Sequence, residues 1–181
     1  MAWKSTRTRY GTLSIMLHWL MLLLIVAVCL LMELKSLTPK GSVQRDAMAQ
    51  WHYTLGLSVF LLVWLRVLAR LAGTTPLVQP AQPQRQALLA RLVHLALYAL
   101  MIGLPLLGWL TLGAKGMVIP FFGTELPALS AENRLYAKWF KELHETGATL
   151  GYLLVGLHAA AALYHHFRLR DNTLHLMLPG R

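Results

Sequence analysis

Four stretches without a charged residue, at 12–32, 47–65, 92–114 and 146–167, leave this chain few ways to fold. Each holds roughly 20 residues, enough to cross a hydrocarbon core about 30 Å thick as a helix. In lipid every backbone N–H and C=O must find its partner within the protein, and a helix meets that demand by itself. Arg66 and Arg70 closely follow the second stretch, where long basic side chains can snorkel to an interface. Composition agrees, with 56% hydrophobic and 13% charged residues; a soluble domain carries about a quarter charged. The expected fold is all-α, an integral membrane four-helix bundle in one domain spanning 1–181. Its helices fall at about 12–33, 47–70, 87–112 and 144–168. The first apolar run is too long for a signal-peptide core and no small-x-small cleavage site follows it, so it reads as a span. Cys29 is the only cysteine, which excludes an intrachain disulfide and leaves a small apolar packing residue.

Charge sets the expected orientation. With four spans, one side holds Lys4, Arg7, Arg9, Arg66, Arg70, Arg85, Arg91, Arg168, Arg170 and Arg181. The other holds Lys35, Lys40, Arg45, Lys115, Arg134, Lys138 and Lys141. Ten basic residues against seven place both termini in the cytoplasm. The net charge of +10 then belongs mainly to the cytoplasmic face, where anionic lipid would attract it, and no nucleic-acid role is implied. Pro76, Pro80 and Pro83 predict a stiff, extended connection at 73–84. Pro120 and Pro127 flank an apolar patch at 117–122, expected at the outer interface. Ser130 is positioned to cap a separate short interfacial helix at about 131–142, with Leu135, Trp139 and Leu143 as its apolar stripe. Pro105 falls within the third helix, where membrane helices tolerate it with a kink.

Histidines carry the chemistry. Ionisable or metal-binding side chains inside a bilayer are costly and mark function. His18 lies nine residues after Arg9, and His158 ten before Arg168, so antiparallel helices bring both to one depth, about 14 Å from the cytoplasmic charges. His52 and His144 open the second and fourth spans at the opposite edge. On the fourth helix, His144 and His158 are separated by about 21 Å and about 40° around the axis, so both point inward. Two pairs at two depths suit two b-type haems with His18/His158 and His52/His144 as axial ligands to the irons. No C-x-x-C-H motif is present, which excludes covalent attachment. Zinc or copper ligands in a transporter would cluster at one site or along a pore, which separated pairs fit poorly. Gly56, Gly103, Gly108, Gly147, Gly151 and Gly156 offer small surfaces beside the proposed ligands, although Gly147-x-x-x-Gly151 equally signals close helix packing. His94, His165, His166 and His175 are not assigned as ligands; His94 could serve a proton path, a propionate or a quinone pocket.

Several stretches resemble the bacterial cytochrome b561 family, and the resemblance covers nearly the whole chain. They are YGTLSIMLHW at 10–19, WHYTLG at 51–56, RLVHLALY at 91–98, HETGATLGY at 144–152, and GLHAAAALYHH at 156–166 with Arg170, Asp171, Asn172 and Thr173. Within that family the chain looks like the small diheme superoxide:ubiquinone oxidoreductases. The resemblance implies a multi-pass protein of the bacterial inner membrane carrying two haem b groups on His18, His52, His144 and His158. Superoxide is the implied donor and ubiquinone the implied acceptor. Lys138 and Lys141, with Arg134, precede His144 and are expected to steer the superoxide anion electrostatically. Propionate pairing or interfacial anchoring would account for the same lysines. The alternative is a membrane-anchor cytochrome b subunit that takes electrons from a dehydrogenase partner; no protein partner is required by the first reading.

Overall fold

The computed structural model describes residues 3–179. Four long helices dominate: α1 (Thr12–Leu37), α2 (Val43–Leu71), α3 (Gln84–Ala114) and α4 (Arg134–Tyr164). All four are long and apolar enough to span a membrane. Leucines at 23, 61, 95 and 153 are more than half exposed, as lipid-facing side chains are. α1 ends before Pro39, and α2 starts where the Ser42 hydroxyl accepts from the Arg45 N–H at 3.3 Å. The connection at 72–83 carries its three prolines without helix, as expected.

Two expectations about the connection from α3 to α4 are corrected. No separate interfacial helix occupies 131–142; α4 begins at Arg134 and runs unbroken past His144. Neither glycine nor proline interrupts the sequence from Ala131 to His144, so nothing stops the helix once it has started. Nor does Ser130 cap it. Asn133 does, its Oδ1 accepting from the N–H groups of Leu135 and Tyr136 at 2.9 and 3.1 Å, while the Ser130 hydroxyl donates to Leu110 O. The same connection holds a small antiparallel hairpin, β1 (Ile119–Phe121) and β2 (Thr124–Leu126), for which the sequence carries no recognised signal. Its two-residue turn holds Phe122 at φ 45° and Gly123 at φ 79°. Both central residues are therefore left-handed, which matches strand twist.

The helices pack in sequence, α1 on α2, α2 on α3 and α3 on α4, whereas α4 stands off from α1 and α2. One apolar cluster joins Met21, Val59 and Val63 with Tyr98, Met101 and Ile102 from α3. A second joins Leu57, Leu112 and Ile119 beneath the hairpin. α4 enters neither. Its contact with α3 depends on Gly147, where an added Cβ would sit 2.6 Å from Leu104 Cδ2, so this glycine serves close packing. At the terminal end of the bundle, Leu77 N–H donates to Arg7 O, Asn172 N–H to Gln79 O, and Trp19 Nε1 to Met177 O. The N-terminal segment, the proline-rich connection and the C-terminal segment thus close one end, and the hairpin lies at the other.

Candidate metal centres

Where α4 stands off, histidines bridge the space. His18 of α1 faces His158 of α4 with ring centroids 6.2 Å apart and planes at 71°. Toward the hairpin end, His52 of α2 faces His144 of α4 at 6.1 Å and 75°. The two pairs therefore have nearly the same span at two depths, and α4 supplies one member of each. A metal–imidazole bond is about 2 Å, so two imidazoles trans on one metal place their centroids about 6.2 Å apart once both ring radii are included. Both pairs match that span.

Hydrogen bonds orient the second pair. His52 Nδ1 lies 3.1 Å from Val28 O, and His144 Nδ1 lies 2.8 Å from Leu104 O. A carbonyl can only accept, so each Nδ1 carries the proton and each Nε2 keeps a free lone pair. Donation of the ring's other N–H to a carbonyl is the usual outer-shell support of a metal-bound histidine. The first pair differs: at His18 a donor faces Nδ1, which places the proton of the neutral ring on Nε2, so ligation through Nε2 would require that proton to leave or this contact to break. Arg66 Nη2 donates toward His18 Nδ1 at 3.0 Å, and Arg66 Nε donates to the Tyr98 hydroxyl at 3.2 Å. The expectation that Arg66 snorkels outward is thus corrected: its guanidinium turns into the bundle and leaves Nη1 buried without a partner. Such an orphan costs roughly 1–3 kcal/mol or more.

His94 approaches His158 with centroids 5.4 Å apart, shorter than the span of the two pairs. No group of three or more His, Cys, Asp or Glu among the described residues has the geometry to hold a metal ion. Paired axial ligation therefore fits these residues, and a clustered zinc or copper site does not. The glycines divide. Gly56, Gly103 and Gly156 have no atom within 4 Å of an added Cβ, Gly108 faces the His144 ring at 3.5 Å, and Gly147 and Gly151 accommodate Leu104 and Leu100. Of these, Gly108 alone is placed beside a proposed ligand, where the missing side chain leaves room next to the His144 ring.

Lys138 and Lys141 share an open basin of about 470 Å³ with Lys115, Glu132 and Arg134. The continuous α4 explains the grouping, because the Asn133 N–H donates to Ala114 O and draws the end of α3 against the start of α4. Lys115 is a basin residue that linear spacing misses, since 23 positions separate it from Lys138. The two lysines expected to steer an anion carry their own counter-ions: Lys141 pairs with Glu145 at 2.7 Å and Lys138 with Glu142 at 3.8 Å. Lys115 and Arg134 have no ion-pair partner among the described residues.

At the terminal end, α4 passes into a π-helical turn (His165–Leu169) and the chain reverses at Arg170, φ 54°. Asp171 is buried there, accepting from His165 Nδ1, Gln82 Nε2 and the Thr173 N–H. Burial alone would raise its pKa, but these donors outweigh it and hold the carboxyl at about 2. His166 and His175 meet edge to face nearby, with centroids 4.9 Å apart.

Comparison with known proteins supplies the family. Residues 9–180 match the family model described as prokaryotic cytochrome b561. The chain is 35% identical over 173 residues to cytochrome b561 homolog 1 of Escherichia coli (strain K12), covering 96% of this chain and 98% of that protein. It is 34% identical over 173 residues to a probable superoxide oxidase, CybB, of Yersinia pestis, covering 96% and 97%. Against cytochrome b561 homolog 2 of E. coli (strain K12) it is 31% identical over 180 residues, covering 98% and 95%. With four spans and histidine pairs bridging a separated helix, this chain belongs to the prokaryotic cytochrome b561 family, multi-pass electron-transfer proteins of the bacterial inner membrane that carry haem b.

Proposed function

We propose that the chain is a diheme b-type cytochrome that moves electrons across the bilayer from periplasmic superoxide to ubiquinone. The observation that carries this reading is the pair geometry: 6.2 Å for His18/His158 and 6.1 Å for His52/His144, at two depths of one bundle. His52 and His144 would hold the outer haem, and His18 and His158 the inner one, with both termini cytoplasmic by the excess of basic residues on that side. Bound haem b supplies a one-electron iron couple at each pair. The bonds from His52 and His144 to Val28 O and Leu104 O keep both outer rings in the ligating tautomer. Lys115, Arg134, Lys138 and Lys141 would form the cationic approach for superoxide, with Lys115 and Arg134 contributing most because the other two are paired. In the balanced reaction, two superoxide anions give up one electron each and leave as two O2. Ubiquinone gains the two electrons and two protons as ubiquinol.

The likeness to a probable superoxide oxidase supports the choice of donor. The test is purification, pyridine haemochrome quantification, and oxidised and reduced spectra followed by superoxide. Two b-type haems per chain, reduced by superoxide and reoxidised by ubiquinone, are expected. Two haems that ignore superoxide would remove the donor, and absence of haem would remove the reading. The hairpin favours one second reading: Met117 and Val118 just before it and Phe122 at its turn are about half exposed, a surface on which a dehydrogenase partner could dock. Stable co-purification of a redox subunit, lost on Phe122→Ser, would favour that anchor role.

A further inference from the structure

At the terminal end of the bundle an open cavity of about 280 Å³ is lined by Thr8, Arg9, His175 and Leu176. Ligand pockets begin at about 300 Å³, so this one suits a compact group or the head of a larger molecule. Three of its four lining side chains can donate hydrogen bonds, and none is a carboxylate. The turn that presents Arg9 is fixed: Thr6 N–H donates to Arg9 O at 2.8 Å, and Arg9 N–H donates to Thr6 Oγ1 at 3.3 Å. The Arg9 side chain is half-buried and has no ion-pair partner among the described residues. On the C-terminal side, His175 meets His166 edge to face, and Met177 O accepts from Trp19 Nε1 at 2.7 Å. Of the seven acidic side chains, Asp171 alone belongs to the terminal end, and its oxygens already accept from His165, Gln82 and Thr173. Glu33, Asp46, Glu125, Glu132, Glu142 and Glu145 all belong to the hairpin end of the bundle. The cavity wall therefore offers a guanidinium, a hydroxyl and an imidazole, and the described residues supply no anion to meet them.

We propose that Thr8, Arg9 and His175 form a phosphate-binding site, filled by the headgroup of an anionic phospholipid. A guanidinium matches the geometry of phosphate oxygens, and its charge-assisted bonds to them are shorter and stronger than neutral ones. The depth of the cavity favours lipid as the source of the phosphate. Arg9 stands three residues before Thr12, where α1 starts, and Trp19, seven residues into that helix, holds the segment at 175–177 beside it. Leu13 and Met16, on the first turns of α1, are exposed as lipid-facing side chains are. The cavity is thus level with the mouth of a membrane span, where lipid headgroups lie.

The test uses the purified full chain in detergent, with bound lipid counted by native mass spectrometry as phosphatidylglycerol or phosphatidylcholine of the same acyl chains is added. Wild type is expected to take its first phosphatidylglycerol about 10- to 100-fold more tightly than its first phosphatidylcholine. Arg9→Gln should bind the two lipids equally. Arg85→Gln removes the same charge from the same end without altering the cavity lining, and it should keep the wild-type preference. Thr8→Val removes one exposed donor and keeps the guanidinium, so the preference should shrink without vanishing; this milder change keeps the question answerable if Arg9→Gln folds poorly. Inorganic phosphate separates the two sources of the group. Binding of inorganic phosphate that depends on Arg9, with no preference between the lipids, would overturn the lipid source. Equal binding of both lipids by wild type, with no Arg9-dependent binding of inorganic phosphate, would overturn the site. So would a preference that survives in Arg9→Gln, or one lost equally in Arg85→Gln, because general attraction of anionic lipid to a basic face would then account for it.

Discussion

His94 provides a sharp test of the ligand assignment, because it is the nearer neighbour of His158. Its ring centroid lies 5.4 Å from that of His158, whereas His18 lies at 6.2 Å. Proximity alone would nominate His94. The span of a trans imidazole pair is about 6.2 Å, from two bonds of about 2 Å and two ring radii of about 1.1 Å. His94 is therefore about 0.8 Å too close to share one metal with His158, and α3 would have to retreat from α4 to admit it. That retreat opposes the contact of Gly147 and Gly151 with Leu104 and Leu100. His94→Ala is thus expected to keep two haems per chain, both six-coordinate and low-spin. His18→Ala and His144→Ala should each reduce the count to one, or leave the affected haem five-coordinate and high-spin. Pyridine haemochrome quantification gives the count, and electron paramagnetic resonance of the oxidised protein gives the spin state. A His94→Ala protein that loses one low-spin signal, beside a His18→Ala protein that keeps both, would refute the span argument.

Four shorter expectations follow from the same coordinates. Gly147→Ala meets only the Leu104 side-chain tip, which can turn aside, whereas Gly147→Leu exceeds what that shift can admit, and overpacking of this kind costs about 1–3 kcal/mol; the far-UV circular dichroism melt of Gly147→Leu in detergent should fall by several degrees, while Gly103→Ala, with open space, should not lower it. Asp171 has a folded pKa of about 2 against an ordinary 3.8. Its depressed value contributes about 2 kcal/mol that is present above about pH 4 and lost as pH falls towards about 2. Acid unfolding of Asp171→Asn should lack that component, and an unaltered pH profile would count against it. Glu145→Gln releases Lys141 from its ion pair, so superoxide-dependent haem reduction should quicken at low salt and converge with wild type at high salt; Lys141→Glu should slow it several-fold with the opposite salt trend. Removing haem withdraws a ligand that binds the folded state, so apo-protein should melt below holo-protein, by an amount that grows with haem affinity; coincident melts would speak against ligation inside the bundle.

What could be read in the chain and what could not divide along physical lines. The four spans follow from local composition, because a run of about 20 apolar residues is sufficient to identify a span. The histidine pairs follow from depth and from rotation about the helix axis: antiparallel helices bring residues equally far from one boundary to one level, and His144 and His158 share one face of α4, so His18 meets His158 and His52 meets His144, although His94 reaches the same level. The start of α4 was less legible. A polar, amphipathic 131–142 segment followed by an apolar one reads as two helices, but polarity changes the environment of a helix without interrupting its hydrogen bonds. The hairpin was missed because Phe122-Gly123 lacks the Asn-Gly or Asp-Gly signature of its turn. Arg66 was misplaced for a third reason. Its inward turn is set by Tyr98 and His18, which lie 32 and 48 positions away, and no local pattern contains that information.

These differences bear on how the bundle is held together. In most helix bundles the apolar core links all the helices, but here one buried cluster joins α1, α2 and α3, the other joins α2, α3 and the hairpin, and both leave α4 out. α4 is attached along α3 through glycines, and it faces α1 and α2 across space spanned by the two histidine pairs and by the Tyr152 hydroxyl, which donates to Glu33 at 3.1 Å. A helix placed in this way brings one ligand to each of two depths without filling the interior with its own side chains. Gly108, whose added Cβ would meet the His144 ring at 3.5 Å, keeps side-chain bulk away from that ring. Leucine there would bury more apolar area, yet it would occupy the space beside one of the paired histidines. This glycine and the standoff of α4 therefore serve the same end: packing between protein groups is given up where a large planar group has to lie between two axial nitrogens.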